Sequence, residues 1–165
     1  MTKRLFAMFI LAFLVISIIA IGIPFLIIQF TASLSYDIRE FKFIGIIPII
    51  LSIYMGIRSI RDFVSYGDGT PSPTNPPKTL VAKGIYRIIR NPMYLAVFLF
   101  ILGEAIVFQS YTLIAYFMLV WLVFHLFVVY AEEPDLRKRF GKSYEDYFKE
   151  IPRWLPKIGL GKSKT

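Results

Sequence analysis

Apolar residues along this chain gather into four long runs, separated by short polar or proline-rich segments. The first, Leu5 to Ile28, is 24 residues without a charge. A membrane-spanning helix needs about 20 such residues, and a signal-peptide core only about 7–15, so the run predicts a retained span over 5–28. Gly22 and Pro24 predict a bend within it. The second run, Phe43 to Ile57, contains Pro48. Alone it would rise about 22 Å. Lys42 and Arg58 can snorkel at its ends, which extends the predicted span to 42–60. The third span, 92–108, is interrupted by Glu104, and the fourth, 111–131, by His125. Gln109-Ser110 leaves almost no loop between them, so they form a tight antiparallel hairpin. The pattern predicts one all-α polytopic membrane domain over 1–165: about four transmembrane helices and a cytoplasmic, interfacial helical tail at 132–156.

Two polar stretches remain. Gly67 to Pro77 reads GDGTPSPTNPP, whose prolines and glycines forbid a regular helix. It is either a stiff interfacial loop or a wall over a site. In the tail, Glu132-Glu133 close the fourth span and Pro134 follows. Ser143 to Asp146 suggests a helix-opening capping box. Phe140, Tyr144, Tyr147, Phe148 and Ile151 fall on one helical face, which Gly141 can break into two pieces. With Trp154 this describes an amphipathic segment lying in the interface.

Composition sharpens the membrane reading. Of 165 residues, 56% are hydrophobic and 18% charged, against about 45–50% and 25% in soluble domains. Cysteine is absent, which excludes a disulfide framework, a thiolate nucleophile and a thiolate metal site. A single histidine is a poor metal site, so no metal is expected. The net charge of +8 is distributed as +2 before the first span, zero between the first two, +4 over 58–90, −1 at Glu104 and +3 after Tyr130. That alternation places both termini and the long loop in the cytoplasm. The basic residues are then topology determinants and partners of anionic lipid headgroups, and no nucleic-acid partner is expected. A monomer is expected.

Counting back from the hairpin tip gives a candidate site. Arg90 and Asn91 match the depth of about Tyr130 to Glu132. The segment RNPMY, Arg90 to Tyr94, should therefore meet Glu132-Glu133 at the cytoplasmic interface, with Tyr86 and Tyr130 nearby. Pro92 suits a first helical turn, and Asn91 can cap it. One reading is an Arg90–Glu132 ion pair that fixes the hairpin register; the other is a site. Glu104, an intramembrane carboxyl, is a functional candidate, yet it lies close enough to the hairpin tip to reach the outer interface. His125 is offset from Glu104 by about 12 Å, so the two do not pair. It is either a hydrogen-bonded interhelical histidine or a catalytic one.

The sequence GIYRIIRNPMYLAVFLFILGEAIVF followed by EEPDLRKRFGKSYEDYFKEIPRWLP resembles the C-terminal half of the isoprenylcysteine carboxyl methyltransferase family and its phospholipid methyltransferase relatives. The resemblance spans about Gly67 to Pro156. It implies an integral membrane methyltransferase using S-adenosylmethionine as cofactor and taking a hydrophobic or lipid-borne substrate from the bilayer. The cofactor-binding positions it implies are Tyr86, Arg90, Asn91, Pro92, Tyr94, Gly103, Glu132, Glu133, Tyr144 and Tyr147, with Phe140, Gly141 and Pro152 as further tail positions. Arg90, Asn91, Glu132 and His125 are the catalytic candidates. The carboxyl methyltransferases usually carry His where this chain has Asn91. The phospholipid enzymes often have NPMY, as here, and a Gly-x-Gly where this chain has Gly103-Glu104-Ala105.

The chemistry of these residues suits that cofactor. A guanidinium can hold its carboxylate bidentately, and an acidic side chain can accept from its ammonium or ribose hydroxyls. A tyrosine ring can stack adenine or face the sulfonium. Two other classes remain open. One is an NADPH-dependent, sterol-reductase-like membrane enzyme, against which the acidic pair argues because a 2′-phosphate needs basic partners. The other is a non-enzymatic membrane scaffold.

Overall fold

The computed structural model of the chain describes residues 14–31, 34–67 and 79–156. Among the described residues five helices follow one another: α1 (Leu14–Phe30), α2 (Arg39–Gly67), α3 (Pro92–Val107), α4 (Tyr111–Phe140) and α5 (Lys142–Glu150). A short 3-10 turn, Gly84–Arg87, precedes α3. Among the described residues the β structure is one isolated antiparallel bridge, Ser35 to Ser110. The start of the first predicted span, most of the proline-rich segment and the chain after Pro156 lie outside the described residues.

α2 and α4 are long and apolar enough to cross a membrane, while α1 and α3 are shorter apolar helices. Phe25, Phe30, Ile47, Ile50, Ile57, Met118 and Leu119 point large apolar side chains outward. A surface of that kind faces lipid more cheaply than water. Inside, α3 packs between α2 and α4. Against α2 the backbones come very close: a Cβ built on Gly45 would lie 2.7 Å from the Gly103 carbonyl oxygen. Small residues permit that approach where no hydrophobic effect drives helices together. Against α4, Phe98, Ile101 and Val120 form the buried centre, ringed by Tyr94, Phe117, Trp121, Phe124 and Trp154.

Two proline-bearing helices stay continuous by the same device. Pro24 and Pro134 each lack the N–H for a regular helical bond, and their rings crowd the carbonyl four residues back. Each is preceded by a widened π-type turn, Ile18–Gly22 and Val128–Glu132. The Ile23 N–H bonds to the Ile18 carbonyl and the Glu133 N–H to the Val128 carbonyl, five residues back in both cases. Such a turn absorbs one extra residue and re-phases the helix. The fourth helix therefore does not close at Glu132-Glu133 but runs on to Phe140. Gly141, at φ +53°, separates it from α5, a backbone conformation that favours glycine. The expected capping box at Ser143 to Asp146 does not form: α5 starts at Lys142, and its N-cap residue Gly141 has no side chain to cap with.

Candidate functional site

The base of the α3–α4 hairpin gathers the charges. Pro92 opens α3, which puts Arg90 and Asn91 immediately below its first turn. The π-turn in α4 delivers Glu132 and Glu133 to the same place. Arg90 Nη1 donates to Glu133 Oε1 at 2.9 Å, and both side chains are under one-tenth exposed. One helical turn higher, the Tyr94 hydroxyl donates to Glu132 Oε2 at 2.9 Å. The expected Arg90–Glu132 pair is thus replaced by Arg90–Glu133, because the widened turn shifts the helix by a residue that regular counting omits.

The tail folds back across this junction and is tied to it at several points. Arg90 N–H donates to the Pro152 carbonyl at 2.9 Å, and Asn91 Nδ2 to the Arg153 carbonyl at 3.4 Å. Asn91 makes no side-chain cap, contrary to its expected role, because its amide serves the tail. The Tyr147 hydroxyl donates to the Tyr86 carbonyl at 2.8 Å. Tyr144, buried, lies 3.5 Å from Arg90 Nη1. Arg153 grips Glu133 with a fork, Nε to Oε1 at 2.7 Å and Nη2 to Oε2 at 2.9 Å. The Phe148 ring has the Arg90 guanidinium over it at 4.2 Å and that of Arg137 at 4.5 Å. Beneath the junction Asp62 of α2, buried, accepts from Ile85 N–H at 2.8 Å. It closely abuts Gly84, where φ is +60° and a side chain would collide with the carboxyl.

Burial sets the electrostatics. It pushes the Glu132 carboxyl above the usual range, against a lowering from the Tyr94 hydrogen bond and reinforced by the charges of Glu133 and Asp135. Burial likewise raises the phenols of Tyr86, Tyr144 and Tyr147, keeping them neutral. The hydrogen bonds to Glu133 raise Arg153 further. Among the described residues, Arg90 Nε and Glu104 Oε2 are the buried side-chain polar atoms without a hydrogen-bond partner.

The structure thus brings together Tyr86, Arg90, Asn91, Pro92, Tyr94, Glu132, Glu133, Tyr144 and Tyr147. It does not bring Gly103 or His125 into that ionic network. Gly103 lies about 16 Å further along α3, at the crossing with Gly45. His125 stacks on Trp121 at 5.1 Å and accepts the Trp154 indole N–H at Nδ1, 3.0 Å away. That hydrogen bond ties the tail to α4. Sequence reasoning missed Arg153. Its one signal is a cation set between Pro152 and Trp154 in an otherwise apolar stretch.

A helical hairpin of lipid-facing helices, closed at its base by a half-buried cluster of two arginines and two glutamates to which the tail contributes Arg153, defines a membrane protein with a polar site at its surface. The phospholipid methyltransferase family model matches residues 41–143, which include Arg90, Glu132 and Glu133 but not Arg153, and the chain belongs to this family. It is 33% identical over 94 residues to a protein-S-isoprenylcysteine O-methyltransferase of Schizosaccharomyces pombe, covering 57% of this chain and 40% of that protein. It is 29% identical over 86 residues to a nickel-cobalt-cadmium resistance protein of Alcaligenes xylosoxydans xylosoxydans, covering 52% of this chain and 40% of that protein. The chain therefore spans well under half the length of these curated relatives. Its fold matches the solved structure of the eukaryotic intramembrane Ras methyltransferase, isoprenylcysteine carboxyl methyltransferase. The TM-score is 0.57 at 23% identity, over 89% of this chain and 53% of that one.

Proposed function

We propose that the protein transfers a methyl group from S-adenosylmethionine to a hydrophobic or lipid-borne acceptor at the cytoplasmic face of a membrane. α1 to α4 supply its spans, the fourth ending at Ala131 so that Glu132 and the tail lie at the interface, and both termini face the cytoplasm. The observation that carries this reading is Arg90 Nε, buried and unbonded inside an otherwise satisfied ionic cluster. A buried donor left unmade costs about 1–3 kcal/mol, and an anionic ligand group relieves it. The donor set fits the cofactor: a guanidinium for its carboxylate, Glu132 for its ammonium or ribose hydroxyls, and the rings of Tyr86 and Tyr94 for adenine or the sulfonium.

When bound, S-adenosylmethionine supplies an electrophilic methyl group. The protein's part is alignment and exclusion of water, which is what direct displacement requires. Arg90 and Glu132, held rigidly by Glu133, Phe148 and Tyr94, bind and orient. An open apolar recess of about 260 Å³, lined by Val123, Phe124 and Phe127, adjoins Tyr94 through the Phe124 ring at 5.0 Å. It is the side from which an acceptor's hydrocarbon reaches the site. An amine acceptor needs a base, and Glu132 is the carboxylate in place for it. A carboxylate acceptor needs none. The His125 Nδ1 lone pair is already taken by Trp154.

Calorimetric titration of the detergent-purified protein with S-adenosylhomocysteine tests the reading. Binding is expected, weakened about tenfold to a hundredfold in Arg90→Ala, the worth of a charge-assisted hydrogen bond. A well-folded wild type that binds no S-adenosylhomocysteine would sink the proposal. Incubation with methyl-labelled cofactor and a membrane extract then separates ester from amine products by base lability.

A further inference from the structure

Glu133 is shared unequally between two arginines. Arg153 takes it as a fork with two short bonds, while Arg90 contributes one. A guanidinium facing a carboxylate prefers the two-bond mode. Arg153 occupies that mode, so Arg90 cannot adopt it on Glu133. Arg90 is left with its side chain 8% exposed, its plane over Phe148 and its Nε buried without a partner. With Glu132 alongside, the two arginines and two glutamates balance in charge, so the inequality lies in the bonding. Nearby Glu132 is held by Tyr94, and Arg137 by Glu145 at 3.1 Å. What stays unmet is the Arg90 Nε donor, and a carboxylate can accept from it.

We infer that Arg153 is a positioning residue. By claiming the fork of Glu133 it reserves the remaining donors of Arg90 for a ligand carboxylate. On the methyltransferase reading, on which this rests, that carboxylate is the amino-acid end of the cofactor. Without Arg153, Arg90 closes onto Glu133, and the site keeps its grip on the nucleoside while losing its preference for the carboxylate. Arg153 thus sets which end-group the site recognises without touching the reacting atoms.

The test compares two probes on the full-length, detergent-purified protein by calorimetry: S-adenosylhomocysteine, and its decarboxylated analogue, which keeps the ammonium and lacks only the carboxylate. Wild type is expected to prefer the first by about tenfold or more. Arg153→Ala is expected to lose most of that preference. Arg153→Lys, which keeps the charge without the fork, falls between the two. The double variant Arg153→Ala with Glu133→Gln is expected to regain preference, because a neutral amide no longer draws Arg90 onto itself. A merely structural Arg153 would weaken both probes equally and leave the ratio unchanged. A preference in Arg153→Ala within about twofold of wild type overturns the inference. A double variant as unselective as the single one does the same. If Arg153→Ala does not fold, Arg153→Lys decides, and a wild-type ratio there overturns it. Wild type that binds neither probe instead defeats the methyl-donor reading, so the two failures are distinct.

Discussion

The two ends of the α3–α4 hairpin are both fastened, but by different chemistry. At the tip the fastening is neutral. Tyr36 N–H bonds to the Gln109 carbonyl at 2.8 Å, Tyr111 N–H to the Leu34 carbonyl at 3.2 Å, and Ile38 N–H to Gln109 Oε1 at 2.7 Å. Thr31 and Thr112 hydroxyls meet at 2.7 Å, and the Tyr36 hydroxyl donates to the Ala105 carbonyl at 2.9 Å. At the base the fastening is ionic, aromatic and buried. Neutral hydrogen bonds suffice to hold a turn, each worth about 1 kcal/mol. Burying an ion pair such as Arg90–Glu133 is a poor way to gain stability, because desolvation offsets most of the attraction. The base is therefore built for something other than holding helices together. The tip has its own unpartnered atom, Glu104 Oε2, but among the described residues no arginine or lysine pairs with it. The unmade bond at Arg90 lies instead among charges and rings that can complement a ligand.

The contrast can be broken experimentally. The largest effect on stability is expected between the ends, at the helix crossing. Gly45→Ala puts a Cβ 2.7 Å from the Gly103 carbonyl and 2.9 Å from Ile106. It should cost about 1–3 kcal/mol as overpacking, read as a lower unfolding temperature in detergent, with S-adenosylhomocysteine affinity little changed. A large loss of affinity at full stability would show that Gly45 and Gly103 serve the site directly. Next is Glu132. Its carboxyl is raised by burial, so the folded state holds that proton more tightly than the unfolded chain. The resulting stabilisation is present at acid pH and lost as pH rises through the raised value. Ligand binding needs the opposite, ionised form. S-adenosylhomocysteine affinity should therefore fall as pH drops through a range above that of ordinary carboxylates. Glu132→Gln should remove this acid limb while unfolding at neutral pH no more readily than wild type. An acid limb that persists in Glu132→Gln would assign it to another group. The smallest effect is expected at the tip: Thr31→Val removes the two neutral hydrogen bonds of one half-buried hydroxyl, to the Ile27 carbonyl and with Thr112, about 1 kcal/mol in all, and leaves ligand affinity unaltered.

Much of the architecture was legible because it follows from local pattern. The apolar runs, the two-residue break at Gln109-Ser110 and equal counting along a hairpin were enough to bring RNPMY beside Glu132-Glu133. Gly141 as a break in the tail helix was legible too, since its positive φ suits glycine. What was misread has one cause in α4. Counting assumed a regular helix, and the π-turn before Pro134 exchanged Glu132 for Glu133 as the partner of Arg90. Gly103, a cofactor position by resemblance, lies where two backbones nearly touch, outside the ionic network.

Which segments are apolar, where positive charge collects and which polar residues share the base of the hairpin could be read from the sequence. These depend on spacing along one chain, and spacing is printed in the sequence. Only the tertiary structure decided that Arg153 forks Glu133, that Trp154 binds His125, and that Arg90 keeps an unmade bond. Those depend on how the tail reverses over the helix ends. No periodicity encodes that reversal, because it is set by the Pro152 carbonyl finding Arg90 N–H and by the rings that pack around them.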